Sequence, residues 1–274
     1  MSLERQALEQ FDRLVEQGEL LWRHDEPRHI SSKPFDFQFH VANSLTKKPV
    51  TAGSKKRTPA FMDDNQDFSL GIFGPRHKLI LNKYCVTRPQ MVLHTVEFES
   101  QDELLNADDF HAAWLALTSM GNKYMVIFNG GKDAGASMNH KHLQVLPRPE
   151  GAGLESLLKG SSSDGMDIRL LDVPYRLAVG TIPEQANGVA LQNLFHSLCD
   201  EADVKPGMAY NMILVGGRMV VIPRRTADID GIQANAAAMI GVVYCSSQEQ
   251  YESWVREGPM KMLERFGVPK EPRN

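Results

Sequence analysis

Cysteine is scarce in this chain of 274 residues, and the few cysteines present do not pair off. Cys85, Cys199 and Cys245 are odd in number, far apart and free of Cys-x-x-Cys spacing. That argues against a disulfide framework and against a cysteine-bound zinc, and it fits a reducing compartment. A surplus of positive charge is also lacking. Lys and Arg number 30 against 34 Asp and Glu, a formal net charge of −4. Nothing global draws the chain to nucleic acid or to an anionic membrane surface. No apolar run approaches the roughly 18 residues that a membrane helix needs. The first stretch, SLERQALEQFDRLVEQGEL, is charged throughout, unlike the apolar centre of a signal peptide. Internal repeats and low-complexity tracts are absent as well. What remains is ordinary globular composition, 42% hydrophobic and 23% charged. The expectation is a soluble cytoplasmic protein of one large or two small domains, long enough to bury a core without staples.

Several elements can be read directly. Leu3, Ala7, Phe11 and Leu14 recur at helical spacing, so 3–17 is expected to be a helix stopped at Gly18. Residues 26–75 are rich in turn formers. Within them KKPVTAGSKKR (47–57) carries five basic residues and no acidic one, either a solvated loop or an anion-binding flap. HKLILNKY and PQMVLHTVEF read as strands. Ser100-x-x-Glu103 has the form of a capping box ahead of a helix clearest over 108–120, with Phe110, Trp114 and Leu117 on one face. YMVIFN (124–129) and HKHLQVLP (140–147) read as strands joined by the glycine-rich NGGKDAGASMN. A short helix over 151–165, one or two strands over 170–182 and a helix over 187–202 follow. MAYNMILVGGRMVVIPRR (208–225) reads as a hairpin turning at Gly216-Gly217. Ser246-x-x-Glu249 should cap a last helix that Gly258-Pro259 breaks. Mixed helices and hairpin-linked strands predict an α+β fold.

NHKHLQ (139–144) carries the chemistry. Side chains alternate along a strand, so His140, His142 and Gln144 share one face, while Lys141, Leu143 and Val145 share the other. Adjacent members of the trio lie roughly 7 Å apart at their Cα atoms. They could be hydrogen-bonded histidines of a half-exposed strand. They could be a His-x-His half-site for a metal, though no third ligand stands at a recurring spacing. Or one histidine could attack phosphorus, which requires a neutral imidazole in one tautomer and donors for phosphoryl oxygens. A glutamine amide and the N–H groups of a glycine loop are such donors. All of these lie within the sixteen residues from Asn129 to Gln144, which favours the third reading. Gly130, Gly131 and Gly135 allow close approach of backbone to a ligand, and Ser137 adds a hydroxyl.

FNGGKDAGASMNHKHLQVLP resembles the active-site segment of the diadenosine tetraphosphate phosphorylases (ATP adenylyltransferases). These form a branch of the histidine-triad superfamily with Gln in place of the third histidine. HKLILNKYCVTRPQMVLHTVEFESQ (77–101) and MAYNMILVGGRMVVIPRR (208–225) are similar to two further segments of that family. The matches cover about half the chain, in the right order. The His-x-His-x-Gln string also serves hexose-phosphate uridylyltransferases and nucleotide-sugar phosphorylases. Ala134 stands where Ser is usual, Met138-Asn139 where Gln-Pro is common, and Thr87-Arg88-Pro89 and His94 interrupt the usual form of the strand pair.

The resemblance implies a histidine-triad-like fold, a mixed or antiparallel sheet flanked by helices. Residues 1–165 would hold the catalytic region, and 166–274 a C-terminal ATP-adenylyltransferase-like region on the same sheet. His142 would be the nucleophile, His140 would order the site, and Gln144 would donate to a non-bridging oxygen. Gly135, Ala136 and Ser137 would hold phosphates, with Asn129, Gly130, Asn82 and Lys83 near the nucleotide. The basic loop, Lys55 in particular, would neutralise the polyphosphate. The implied partners are a small nucleotide and inorganic phosphate, not nucleic acid or membrane, and the chain would be a monomer or homodimer. No resident metal or cofactor is required, with Mg2+ at most accompanying the polyphosphate. The implied reaction is phosphorolysis of diadenosine tetraphosphate to ATP and ADP. Alternatives are phosphorolysis of adenylyl sulfate or a nucleotide sugar at the same histidine, a nucleotide sensor without turnover, or a metal-dependent oxygenase or hydrolase.

Overall fold

The computed structural model describes residues 1–42, 61, 65–150 and 173–270. The basic loop with Lys55, the expected helix over 151–165 and the boundary at 165 lie outside the described residues. Helix α1 (Leu3–Glu16) opens on Ser2, whose side chain accepts from the Arg5 N–H. It buries Ala7, Phe11 and Leu14, and its exit turns through Gly18 at φ +75°. Strands β1 (Arg28–Ser32) and β2 (Phe35–Val41) form a hairpin. Then come β3 (Ser69–Phe73), β4 (His77–Leu81), β5 (Met91–Thr95), helix α2 (Ala107–Met120), β6 (Tyr124–Gly130) and β7 (His142–Pro147). The later half contributes β8 (Ala178–Thr181), α3 (Gly188–Glu201), β9 (Tyr210–Val215), β10 (Arg218–Pro223), β11 (Asp228–Ile229), β12 (Ile232–Gln233), β13 (Val242–Cys245), α4 (Gln248–Glu257) and α5 (Pro259–Phe266).

The main sheet has eight strands in the order β3-β4-β5-β7-β6-β9-β10-β8, with every neighbouring pair antiparallel. Strands from both sides of residue 165 share it, joined where β6 meets β9 in the register Val126↔Leu214 to Gly130↔Tyr210. The β9–β10 hairpin turns at Gly216 and Gly217, whose φ of 53° and 76° are the positive values such a two-residue turn demands. A smaller sheet, β1-β2-β13, pairs β13 with β2 in parallel.

Alternation along the strands divides the interior in two. Leu79, Leu93, Leu143, Val145, Phe128 and Met212 face the helices, meeting Phe11 of α1, Phe110 of α2 and Phe195 of α3. On the other face, Ile127, Ile213, Val220 and Ile222 meet Phe37 and Phe39 of the small sheet, Trp254 of α4 and Phe266 of α5. This second core takes nothing from β3, β4 or β5. Half of that sheet face is therefore left for polar side chains, and the histidine motif lies there.

Two helix starts differ from the sequence reading. Ser100 to Glu103 forms a turn, and α2 begins later, capped by Asn106 in a reciprocal box with Asp109. Helix α4 is capped by Ser247, whose hydroxyl accepts from the Gln250 N–H, one residue beyond the expected Ser246. In both cases neighbouring polar residues offer equivalent caps, and the tertiary position of the first buried turn selects between them.

Helices α2 and α3 cross closely at Gly188. A Cβ there would lie 2.2 Å from the Ala107 carbonyl oxygen. Gly188→Ala should therefore force the helices apart and lower stability by about 1–3 kcal/mol. Urea unfolding measures this, and an unchanged midpoint would contradict the packing described.

Candidate active site

Strand β7 lies between β5 and β6, at the middle of the sheet, and brings His142 opposite His94 and Gln144 opposite Val92 and Ile127. His140 precedes the strand and makes a bridge with Ser100. A backbone contact orients the His142 ring: its Nδ1 lies 2.9 Å from the His140 carbonyl oxygen. A carbonyl only accepts, so the proton sits on Nδ1 and the lone pair on Nε2. His140 thus acts on His142 through its backbone. Its own Nε2 is 3.3 Å from the Glu97 carbonyl and 3.0 Å from Thr95 Oγ1, and burial above all lowers its pKa.

Gln144 is oriented by a second amide. Its Oε1 accepts from Gln90 Nε2 at 2.7 Å, and Gln90 Oε1 accepts the Val86 N–H at 2.9 Å. The Nε2 hydrogens are the donors that Gln144 retains. The Asn82 N–H donates to the carbonyl of that same Gln90 at 2.8 Å, which brings Asn82 to Gln144's supporting residue. Asn82 Oδ1 caps the following turn by accepting the Tyr84 N–H, and Lys83 is exposed at this strand end.

The glycine-rich loop has its own internal order. The Ala134 and Ala136 N–H groups donate to the Gly131 carbonyl, and Gly135 N–H to that of Lys132. The N–H groups of Gly135 and Ala136 therefore already serve the turn. Ser137 Oγ, by contrast, is buried and has no hydrogen-bond partner. Packing accounts for two of the glycines. A Cβ on Gly130 would lie 2.7 Å from the Tyr210 ring, and one on Gly135, at φ +94°, 2.8 Å from the Asn235 backbone. Asn129 Oδ1 accepts from Asn211 Nδ2 at 3.0 Å and from the Ala236 N–H at 2.9 Å. Asn211 also donates to the Ala134 carbonyl, as does Arg224, whose buried guanidinium reaches the Ala234, Thr226 and Phe266 carbonyls. Burial pulls the Arg224 pKa down to about 9. Both residues hold the loop in place from the C-terminal half of the sheet.

The sequence marks His94 only as an interruption of the usual strand-pair form, not as a site residue. The structure sets it in the motif's own cluster, its ring 5.7 Å from that of His140 and stacked 4.7 Å from Phe61, which also lies 5.4 Å from His142. Its Nδ1–H donates to the Thr95 carbonyl at 2.9 Å, while Nε2 is buried without a partner. Burial first, then the neighbouring His140, pushes its pKa down to about 4. Its signal in the sequence was alternation: His94 is separated by one residue from Val92, on a strand whose Met91 and Leu93 face the core.

Behind the strand, Lys141 is 1% exposed, and its Nζ meets Glu99 at 2.8 Å and Asp109 at 3.3 Å. The other Asp109 oxygen takes His77 Nε2 at 2.8 Å. Burial raises the Asp109 pKa, but the His77 bond and the Lys141 charge outweigh it and hold the carboxyl below its ordinary value. Among the described residues, no group of three His, Cys, Asp or Glu side chains is placed to hold a metal ion. No helix among them is long and apolar enough to cross a membrane.

An α+β fold that presents His-x-His-x-Gln from a central antiparallel strand, with a glycine loop beside it, is of the histidine-triad type. Residues 2–157 match the Ap4A phosphorylase N-terminal domain, and residues 171–269 the ATP adenylyltransferase C-terminal domain. The chain belongs to the Ap4A phosphorylase family. Diadenosine 5',5'''-P1,P4-tetraphosphate phosphorylase 2 of Saccharomyces cerevisiae is 30% identical over 165 residues, 54% of this chain and 51% of that protein. Protein APA1 of the same yeast is 37% identical over 79 residues, 27% of this chain and 25% of that protein. The chain thus spans about half the length of the first of these relatives and a quarter of the second. Among solved structures, yeast Ap4A phosphorylase Apa2 in complex with Ap4A superposes with a TM-score of 0.81 at 22% identity, covering 98% of both chains. The complex of Apa2 with AMP gives 0.82 at 23% identity, covering 99% of both.

Two outcomes follow from these contacts. Lys141→Met strands Asp109 in the interior and should cost about 3–5 kcal/mol. Adding Asp109→Asn should recover part of it, and two single losses that simply add would refute the coupling. His94 has a folded pKa near 4 against about 6.5 unfolded, so below pH 6.5 the unfolded chain takes up a proton that the native ring refuses. Its contribution is complete above pH 6.5 and is lost as pH falls toward 4. Urea midpoints at pH 7 and 4.5 should differ less in His94→Leu than in the parent, and equal differences would contradict the assignment.

Proposed function

We propose that the chain is a nucleotidyltransferase that cleaves diadenosine tetraphosphate with inorganic phosphate, through an adenylyl group carried on His142. The observation that carries this reading is the 2.9 Å bond from His142 Nδ1–H to the His140 carbonyl, which leaves Nε2 as the nucleophilic lone pair. Nε2 attacks the α-phosphorus, the N–P bond forms as the P–O bond to the leaving triphosphate breaks, and ATP departs. Phosphate then attacks the adenylyl phosphorus, the N–P bond breaks, and ADP leaves with His142 restored. Gln144, its carbonyl end held by Gln90, aims N–H donors at charge that grows on the non-bridging oxygens. The unpartnered Ser137 hydroxyl is the loop's donor to phosphate, with Gly135, Ala136, Asn129 and Gly130 shaping the loop behind it. Asn82 and Lys83 take the nucleotide side.

The reading is supported by the similar fold of yeast Apa2, whose structures hold Ap4A and AMP. On it, residues 1–165 and 166–274 act as one unit through the β6–β9 pairing, Mg2+ at most accompanies the substrate, and the protein works in the cytoplasm.

Anion-exchange analysis of diadenosine tetraphosphate incubated with and without phosphate tests this. ATP and ADP should appear only with phosphate. ATP and AMP without phosphate would make the protein a hydrolase. No product would turn the reading toward adenylyl sulfate, nucleotide sugars or a sensor. His142→Ala should lower kcat at least ~10³-fold, and Gln144→Ala ~10²-fold.

A further inference from the structure

Strands β6 and β7 are paired from Tyr124↔Pro147 to Ile127↔Gln144, and there the ladder ends. Continued by two residues, the same register would set Asn129 opposite His142. The side chain of Gln101 lies between them instead. Its Nε2 donates to the Asn129 carbonyl at 2.9 Å and to the His142 carbonyl at 3.1 Å, while its Oε1 accepts the His142 N–H at 2.7 Å. One amide thus meets both backbone polar groups of His142, as a peptide unit of a neighbouring strand would. The other edge of β7 cannot substitute, because there the β5 contact runs from the Thr95 N–H to the Lys141 carbonyl. Gln101 is itself held, 1% exposed, by its N–H to the Asn139 carbonyl at 3.0 Å, beside the Lys141 N–H to Glu99 carbonyl bond at 2.8 Å.

We propose that Gln101 is the positioning residue of the nucleophile: its amide is wedged into the sheet in place of a strand, fixing the His142 backbone and, through it, the ring. The wedge also spaces Asn129, where the glycine loop departs, from His142, so one side chain sets both walls of the site. The inference rests on the reading of His142 as nucleophile, but its geometry stands apart from it. Without the amide, a buried N–H and two carbonyls lose their partner. The ring then no longer holds its distance to the His140 carbonyl, and a displacement of the reacting nitrogen by 1 Å is enough to cost about 10²-fold in rate.

The test compares Gln101→Ala, Gln101→Met and Gln101→Glu with the parent. Methionine keeps the length and packing without the polar atoms, so it carries the test if alanine does not fold. Glutamate keeps the acceptor for the His142 N–H and sets oxygen against the two carbonyls. Long-range 1H–15N correlation spectra of the imidazoles should show His142 solely as the Nδ1–H tautomer in the parent and as a mixture in the variants. With diadenosine tetraphosphate and phosphate, kcat should fall ~10- to 10²-fold while KM stays within ~3-fold. An unchanged tautomer with kcat within ~3-fold would overturn the proposal, as would a rise in KM alone, which would make Gln101 a substrate contact. If the parent has no phosphorolytic activity, the functional reading fails, and the tautomer still decides for or against Gln101.

Discussion

The site depends on a charge that never reaches it. Lys141 sits between the two histidines and points to the opposite face, where Asp109 and Glu99 receive it in the interior. Withdrawing an ammonium and a carboxylate from water is expensive, and their attraction offsets the expense only if every remaining hydrogen-bonding group finds a partner. Asp109 meets that condition. It takes His77 on one oxygen, and on the other it takes Lys141 and the Asn106 N–H at the start of α2. One carboxylate therefore begins a helix, ties down β4 and clamps the strand that presents His142. A shift of that strand by one residue would place Lys141 among the histidines and leave Asp109 uncompensated, so the register of the motif is held by the ionic contact as well as by the apolar pattern.

The elements legible in the sequence are those with local signals. The stripe of Ala7, Phe11 and Leu14, the paired glycines of the β9–β10 turn and the run Tyr124–Gly130 need only their neighbours in the chain to be read. The motif was legible too, because alternation alone puts His142 and Gln144 on one face. What was not legible is long-range. Gln90 and Gln101 look like any polar residue until β5 and the 99–101 segment are folded beside β7. Asn211 and Arg224 act on Ala134 from 77 and 90 residues away. The glycines were read as room for a ligand, yet Gly130 and Gly135 also make room for Tyr210 and Asn235, a distinction that spacing cannot draw.

Partial covering of the sheet explains where chemistry was free to develop. The second core packs against β6 to β10 and stops short of β5, so Val92, His94 and Gln144 face no apolar layer from it. The histidines are nonetheless largely enclosed, by one another, by Phe61 and by Phe98. Burial lowers the pKa of His94 and, against the opposing charge of Glu99, that of His140, so these rings stay neutral near pH 7. A neutral ring donates from one nitrogen and accepts on the other, which lets a backbone carbonyl dictate the tautomer of its neighbour.

Three amides orient the motif and its loop: Gln90 on Gln144, Gln101 on His142, and Asn211 on Asn129, where the loop departs. An amide donates and accepts at once, keeps its geometry across pH and adds no charge. Had carboxylates done this work, they would have repelled a polyphosphate and favoured a protonated His142; a lysine would have had no acceptor for the His142 N–H. Ionic groups are instead placed behind the strand, as Lys141 with Asp109, and under the loop, as Arg224 among carbonyls. Among the described residues these amide contacts add no charge to the site face, and in the proposed reaction Gln144 and the Ser137 hydroxyl meet the phosphate chain as neutral donors. In the proposed reaction, donors fixed beforehand by uncharged partners need not reorganise as charge moves onto the transferring phosphorus, and that absence of reorganisation is the largest advantage a preformed polar site has over water.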